Sequence, residues 1–223
     1  MKKIISFAVC FVLGSFVLAG CSDSNDPFAQ KEYAVDGSQI EEIRIDVRDR
    51  QIEVLLSQDE QVHIQYYENG KEYYDILVSD QNVLTMTSIS DKEWTDYIGI
   101  KPSAEDRKIS LQIPNAVLEN LTLSTTNADV ILSALAVTGS IRISSNGGNI
   151  TFGRLDVGNA LSLTVKNGDI SGTVIGSYEA FAVQSESKKG QSNLPDNKEG
   201  GKKTLKVSSN NGDVNVEFAD ESL

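Results

Sequence analysis

One set of polar residues recurs along the chain, and its chemistry is that of a cation ligand. Asp129, Asn149 and Asp169 are 20 residues apart, and Asp213 occupies the same place in a further copy of the motif. Neighbouring strands about 4.8 Å apart would bring these oxygens together, and calcium binds carboxylate and amide oxygens. The alternative is that each side chain accepts a hydrogen bond within its own turn. We favour this alternative and predict no metal site, because calcium needs six or more oxygens and the spacing differs from the nine-residue calcium repeat.

Residue types that catalyse reactions are scarce. His63 is the only histidine and lies in a strand-like segment, so neither a catalytic triad nor a histidine metal site can be assembled. The stretch from Ser185 to Lys188 matches the Ser-x-x-Lys pattern, but the partner motifs of that pattern are missing. We therefore predict a protein that is not an enzyme and that uses no cofactor.

The elements that carry the recurring polar residues are four copies of one pattern: an apolar strand, a tight turn and a second apolar strand. The copies begin at Leu121, Ile141, Leu161 and Leu205, and the first three are 20 residues apart. In three copies a glycine precedes the polar residue, at Gly148, Gly168 and Gly212. Glycine permits the positive φ of a sharp reversal. Ala128 takes this place in the first copy. We therefore expect either a different turn there or a cost near 1 kcal/mol for holding a residue other than glycine in the left-handed conformation.

The apolar residues predict how the copies assemble. Pairs two residues apart place both side chains on one face of a strand, and each period has three such pairs. This pattern predicts an all-β fold, a β-helix-like solenoid of stacked rungs of about 20 residues. A meander of hairpins closing into a sandwich is the alternative. Between Gln39 and Pro114 six shorter alternating segments predict a less regular N-terminal β portion, whose first rung, from Ile43 to Leu56, would be a terminal cap.

The first 21 residues predict where the protein is located. Lys2 and Lys3 precede an apolar run that is too short to cross a bilayer comfortably, and Leu18-Ala19-Gly20-Cys21 closes it. This segment resembles a bacterial lipobox, which implies a lipoprotein signal peptide over residues 1–20 and lipidation of Cys21. Residues 21–38 are polar and predict a flexible tether. Residues 39–223 are then the β-repeat domain, interrupted by a loop insertion over residues 185–203.

Charge and composition restrict the partners. Residues 1–20 contain two lysines and no acid, so the rest of the chain has 18 basic and 32 acidic residues, a net charge of −14. Such a charge argues against nucleic acid as a partner. The insertion is a candidate contact loop because of its lysines, Lys188, Lys189, Lys198, Lys202 and Lys203; the alternative is a solvated, disordered excursion. Trp94 and Tyr97 form a candidate aromatic patch for a glycan or a protein, with packing in the core or a cap as the alternative.

The repeated unit, which ends in Asn-Gly-Asp-Ile or Asn-Gly-Asp-Val, and the strand that ends at Ile113-Pro114 carry a family resemblance. They resemble a bacterial family of β-strand-repeat domains of unknown function labelled "putative adhesin", over about Gln39 to Phe218. The resemblance implies a stacked-strand domain on the bacterial envelope without a catalytic centre.

The resemblance and the lipobox together lead us to expect a surface-anchored lipoprotein. It would be tied to the membrane by its lipid, with the outer face of the cell membrane favoured, and would bind an unknown protein or glycan. The alternative is an accessory or sensor lipoprotein that acts in the envelope-stress response through a membrane partner.

Overall fold

The computed structural model describes residues 27–93, 102–115 and 118–220. Within these residues eighteen strands account for nearly all regular structure. The first nine are β1 Ala29–Asp36, β2 Glu42–Asp46, β3 Gln51–Leu56, β4 Gln61–Glu68, β5 Glu72–Val78, β6 Val83–Ser90, β7 Lys108–Ile113, β8 Asn120–Thr125 and β9 Val130–Leu132. The others are β10 Leu135–Val137, β11 Ser140–Gly147, β12 Ile150–Val157, β13 Ala160–Asn167, β14 Ile170–Ile175, β15 Phe181–Ser187, β16 Asn197–Lys198, β17 Lys203–Asn211 and β18 Val214–Ala219. Short 3-10 turns lie at Gly37–Gln39, Glu105–Arg107 and Tyr178–Ala180.

The strands form two nine-stranded sheets. In the first sheet the order is β1-β4-β7-β3-β9-β12-β14-β18, and β10 pairs with the second half of β12; in the second sheet it is β16-β15-β17-β13-β11-β8-β2-β6-β5. Each rung gives one strand to each sheet and pairs in parallel with the next rung, so that Ile141 lies between Leu121 and Leu161. The predicted solenoid is therefore confirmed, and the sandwich of hairpins is excluded over the regular rungs.

The core is the inside of this stack. The three apolar pairs of the first period are buried, as are those of the second; in the third period Leu161, Leu163, Ile170, Val174 and Ile175 are buried. The third pair lies on β10 and the second half of β12, beyond a shift of register between Phe152 and Arg154. One interruption of the apolar columns has a packing reason: a Cβ on Gly172 would lie 2.3 Å from Cδ2 of Phe152. The ring of Phe152 therefore fills the space that a side chain at position 172 of the adjacent rung would need.

At the N-terminal end the order of the rungs in the stack differs from their order in the sequence. The rung of β2 and β3 lies inside, next to β8 and β9, while β6 and β7 stack outside it. The antiparallel strands β4 and β5 then cover this end. The six strands predicted between Gln39 and Pro114 are all present, but the expectation that the first rung is the terminal cap is wrong.

The predicted tether over residues 21–38 is wrong in its second part. Residues Ala29–Asp36 form β1, which pairs antiparallel with β4 along its whole length. The segment lacks apolar alternation because β1 is an edge strand, and only Tyr33 and Val35 pack against the core. Polar composition is what an edge strand needs against unwanted pairing.

The predicted loop insertion over residues 185–203 is wrong at its ends and at β16, while residues 188–196 and 199–202 lie outside the strands. Ser185 to Ser187 belong to β15, which pairs in parallel with β17, and β16 returns antiparallel along β15. Ser192 bridges to Val214 at the edge of the first sheet, and Leu194 is buried. The segment is therefore an ordered cap on both sheets, and the last rung of the sequence, β17 and β18, is inserted beneath it.

Candidate interaction surfaces

The recurring polar residues form a hydrogen-bonded ladder between rungs. The backbone N–H of Asn149 donates to Oδ1 of Asp129 at 2.7 Å, that of Asp169 to Asn149 at 2.9 Å, and that of Asp213 to Asp169 at 2.8 Å. The N–H of Gln191 completes the series by donating to Asp213 at 2.8 Å. Each side chain thus caps the next rung and not its own turn. No cluster of His, Cys, Asp or Glu suited to a metal ion occurs in the described residues.

The glycines before the ladder residues are required by the stacking of turns. Gly148 has φ +130° and Gly168 has φ +156°. A Cβ on Gly168 would lie 2.2 Å from the carbonyl oxygen of Gly148, and one on Gly212 would lie 2.0 Å from that of Gly168. Asp49 and Asn82 are the non-glycine residues with positive φ in the described part of the chain, so Ala128 begins the column with a different turn, as expected.

A second column at the turns was not predicted. Its residues are hydroxyl-bearing, point inward and donate to carbonyl oxygens of the adjacent rung's turn, at distances between 2.8 and 3.2 Å. The pairs are Thr125 with Arg50, Ser145 with Ala128, Ser187 with Gly212, and Ser209 with Gly168. In three of the four cases the signal in the sequence was a serine or threonine two residues after the first apolar pair of the rung, at Thr125, Ser145 and Ser209. Continued alternation places an inward-facing residue there.

The five lysines of the candidate contact loop do not form one patch. The Lys198 ammonium donates to the Phe181 carbonyl oxygen at 2.9 Å and lies 4.8 Å from the centre of the Tyr178 ring. The Lys203 ammonium lies 3.3 Å from Oδ1 of Asp156. The exposed lysines are Lys188, Lys189 and Lys202, and the length of β15, about 20 Å, separates the first two from the third. A contact role for these three lysines stays a prediction.

The aromatic residues near the N-terminal end serve the cap. The rings of Tyr66 and Tyr74 meet edge to face with centroids 5.2 Å apart, and burial, reinforced by Glu68, raises the pKa of Tyr66 to about 12. Both rings pack against the core. The candidate aromatic patch of Trp94 and Tyr97 lies outside the described residues, and so does Cys21.

A groove of about 510 Å³ runs along this cap, and Arg50, Glu72 and Lys92 in its lining are bonded to one another or to neighbouring side chains. Arg50 is buried; its Nε donates to Oη of Tyr74 at 2.7 Å and its Nη2 to Oε2 of Glu72 at 2.9 Å. Glu72 also pairs with Lys92. Burial alone would raise the pKa of Glu72, but the hydrogen bonds from Lys92 and Arg50 outweigh it, so the pKa is lowered. The network therefore holds the cap to the first rung.

Four inner strands of the second sheet have an outer surface that differs in charge from its flanks, where β2 carries Glu42 and Asp46 and β15 carries Glu186. The outward residues of β8, β11, β13 and β17, here called the basic face, include three cations, no acid and no aromatic side chain. They are Asn120, Thr122, Ser124, Ser140, Arg142, Ser144, Asn146, Ala160, Ser162, Thr164, Lys166, Thr204, Lys206, Ser208 and Asn210. Within the described part of the chain, Arg142, Lys166 and Lys206 make no ion pair. Reasoning from the sequence missed this surface because its cations lie on three different strands.

The stacked parallel rungs and their turn ladder define a class of solenoid-like β proteins, and a comparison with protein families gives the particular family. The family model Toastrack DUF4097 matches residues 40–221, so this chain belongs to that family, a domain family of unknown function. A comparison with curated proteins found no match. In the described residues no helix has the length and apolar character needed to cross a bilayer.

Solved structures agree with the fold. The chain is similar to a protein described as a "putative cell adhesion protein" from Clostridium sporogenes ATCC 15579, with a TM-score of 0.58 and 9% identity over 86% of this chain and 100% of that one. Two further matches are each called "putative adhesin". One, from Bacteroides fragilis NCTC 9343, is 13% identical with a TM-score of 0.33 over 86% and 97% of the two chains. The other, from Parabacteroides distasonis ATCC 8503, is 13% identical with a TM-score of 0.29 over 86% and 98%. At these identities the first match supports the fold alone, and the other two carry no argument.

Proposed function

We propose that this protein is a non-catalytic interaction module, anchored by a lipid on Cys21 and displayed on the outer face of a bacterial cell membrane. The observation that carries the proposal is the basic face, an exposed and regular surface without acids on a chain of net charge −12. A rigid stack of rungs presents such a face as one continuous surface. The name of the structurally similar protein from Clostridium sporogenes, which refers to cell adhesion, is in keeping with an interaction role.

The anchor follows from the segment that resembles a lipobox. Two or three acyl chains on one cysteine hold a protein to a bilayer stably, since each buried methylene contributes about 0.8 kcal/mol. Residues 22–28 would then connect the lipid to β1, because β1 already belongs to the fold. Such a short connection would keep the module close to the membrane surface.

Two measurements in the native host test the anchor. We expect wild-type protein to incorporate an alkyne-tagged fatty acid and to be removed by protease from intact cells, with the outer membrane permeabilised if the host has one. The Cys21→Ser variant should lose the fatty acid and the membrane association while keeping its fold by circular dichroism. A wild-type protein without the label, or one protected from protease in these cells, would contradict the proposal.

A photo-crosslinking residue tests the interaction. It is introduced at Ser144 on the basic face, or, as a matched control, at Thr151 on the outer surface of the first sheet. We expect adducts on intact cells from position 144 and few from position 151. Equal or absent adducts would overturn the choice of surface. A membrane protein of the same cell attached at either position would instead favour the accessory or sensor lipoprotein.

A further inference from the structure

We propose that the basic face binds a single extended anionic polymer whose repeat carries phosphodiester groups and free hydroxyls, the chemistry of a poly(polyol phosphate). This inference rests on the proposed function and names the class of partner. It is carried by three cations without ion pairs and by the rows of hydroxyls between them.

The first step of the argument is charge. The chain has 32 acidic and 20 basic residues, yet none of the acids lies among the outward residues of β8, β11, β13 and β17. Several cations elsewhere are ion-paired, as Arg44 on β2 is with Glu42, Lys108 on β7 with Glu53, and Lys203 with Asp156. Arg142, Lys166 and Lys206 therefore form a local positive patch that is complementary to an anion.

The second step is geometry. Arg142, Ser162 and Lys206 occupy one row across three adjacent strands, in register. Because strands are spaced about 4.8 Å apart, the Cα atoms of Arg142 and Lys206 are about 10 Å apart. Lys166 is four residues along β13 from Ser162, which is about 13 Å. Three cations at such distances can neutralise separate anionic groups of a chain, and they are too far apart to hold one small anion together.

The third step concerns the hydroxyls. The row beside the cations reads Ser124, Ser144, Thr164 and Ser208 across β8, β11, β13 and β17. Hydroxyls both donate and accept hydrogen bonds, so this row suits phosphate oxygens as well as hydroxyls of a polyol. A regular row also suits a ligand that is itself a repeat.

The position of the cations shows that they do not serve to protect a sheet edge. Lysine commonly guards edge strands against unwanted pairing. β11, β13 and β17, however, are inner strands with a neighbour on each side.

Two other anionic partners fit less well. Single-stranded nucleic acid is held through bases stacked on aromatic side chains, and the basic face has none. An anionic bilayer is a broad plane, and at physiological salt its field would repel the acidic remainder of the protein within about 8 Å of the surface. A single polymer chain contacts the basic face alone.

The test measures binding of the full-length protein, purified in a non-ionic detergent, to purified poly(glycerol phosphate) by isothermal titration calorimetry at several salt concentrations. The variant R142Q/K166Q/K206Q removes the three cations of the basic face. The variant K188Q/K189Q/K202Q is the matched control, since it removes the same charge from exposed lysines at the C-terminal cap. We expect the first variant to bind about tenfold or more weakly, with a shallower salt dependence, and the control to bind within about twofold of wild type.

Other outcomes overturn the inference. Equal losses in both variants would mean adsorption by net charge, and a loss confined to the control would place the contact at the exposed lysines of the cap. Tighter binding of the wild type to phosphatidylglycerol vesicles or to single-stranded DNA would assign the face to another partner. If the wild type binds none of these ligands, the assignment of the polymer as the partner is wrong. The proposed function would still stand if the crosslinker at Ser144 gives adducts on intact cells.

Discussion

The middle of the stack and its two ends obey different rules. From β8 to β14 the rungs follow each other in the order of the sequence, each 20 residues after the last. At both ends the chain first passes one position, builds an outer element, and then returns to fill the gap with a rung. The outer element contains antiparallel strands in both cases: β4 pairs with β7 and β5 with β6 at the N-terminal end, and β16 pairs with β15 at the C-terminal end. Periodicity thus describes the middle, and capping determines the ends.

The turn ladder runs from Asp129 to the C-terminal cap. At each of its positions a side-chain oxygen accepts from the N–H of the next rung, and Asp213 accepts from Gln191 in the turn after β15. The rung of β2 and β3 also lies inside the stack, yet it has Gln51 at the corresponding position. Asp or Asn in this column therefore adds a hydrogen bond between rungs but is not a condition for an inner position.

The largest expected effect distinguishes the N-terminal cap from the middle. Arg50→Met should lower the free energy of unfolding by about 3–5 kcal/mol, because it leaves the half-buried carboxylate of Glu72 and the hydroxyl of Tyr74 without their buried partner. Urea unfolding at neutral pH measures it. The control is Arg44→Met, an exposed pair with Glu42, which should cost about 1 kcal/mol or less. Similar losses in the two variants would show that the Arg50 network does not hold the cap.

The next largest effect compares a glycine in a closely stacked turn with a glycine whose surroundings are open. Gly168→Ala should cost about 2–5 kcal/mol, the sum of a positive φ and a Cβ forced against the Gly148 carbonyl. Gly200→Ala is the control, since Gly200 has φ +89° but nothing within 4 Å of its Cβ position, and should cost about 1–2 kcal/mol. If the two variants unfold alike, close stacking of the turns is not what requires glycine in the column.

The middle of the fold was predictable because one rule, an apolar pair every few residues in a 20-residue period, acts on every rung. The predicted pairs beginning at Leu121, Val130 and Leu135 are all buried. The ends were not predictable in the same way, since Phe181-Ala-Val183 and Leu205-Lys-Val207 match β13 equally well. Periodicity alone cannot choose between them.

The candidate sites were less predictable than the fold. The ladder residues were recognised, but their hydrogen bonds run between rungs, which a local turn rule does not describe. The basic face was missed because Arg142, Lys166 and Lys206 are between 24 and 64 residues apart in sequence and meet only through the pairing of strands. The lysines of the C-terminal cap are close in sequence, yet the fold separates them.

Acid should weaken the N-terminal cap more than the middle. The pKa of Glu72 is lowered in the folded protein, so its contribution is complete above the ordinary glutamate pKa of about 4.3 and is lost as the pH falls through the lower folded value. Between pH 7 and about pH 3, wild type should therefore lose more unfolding free energy than Glu72→Gln does. Urea unfolding at both pH values measures the difference. An unchanged pH dependence in the variant would rule out Glu72 as a source of acid sensitivity.

The smallest effect concerns a single step of the ladder. Asp169→Ala removes the oxygen that accepts from the Asp213 N–H and should cost about 1 kcal/mol, because this exposed turn can still use water. Asp169→Asn keeps the acceptor and should leave the melting temperature nearly unchanged, as Asn149 already serves in the same column. The rejected calcium site makes the opposite prediction: added calcium would stabilise wild type, and Asp169→Asn would lose that gain. Thermal unfolding of both proteins with calcium and with a chelator therefore decides between two roles of the ladder residues. They either bind calcium or, as the geometry indicates, form hydrogen bonds that fix the position of one rung against the next.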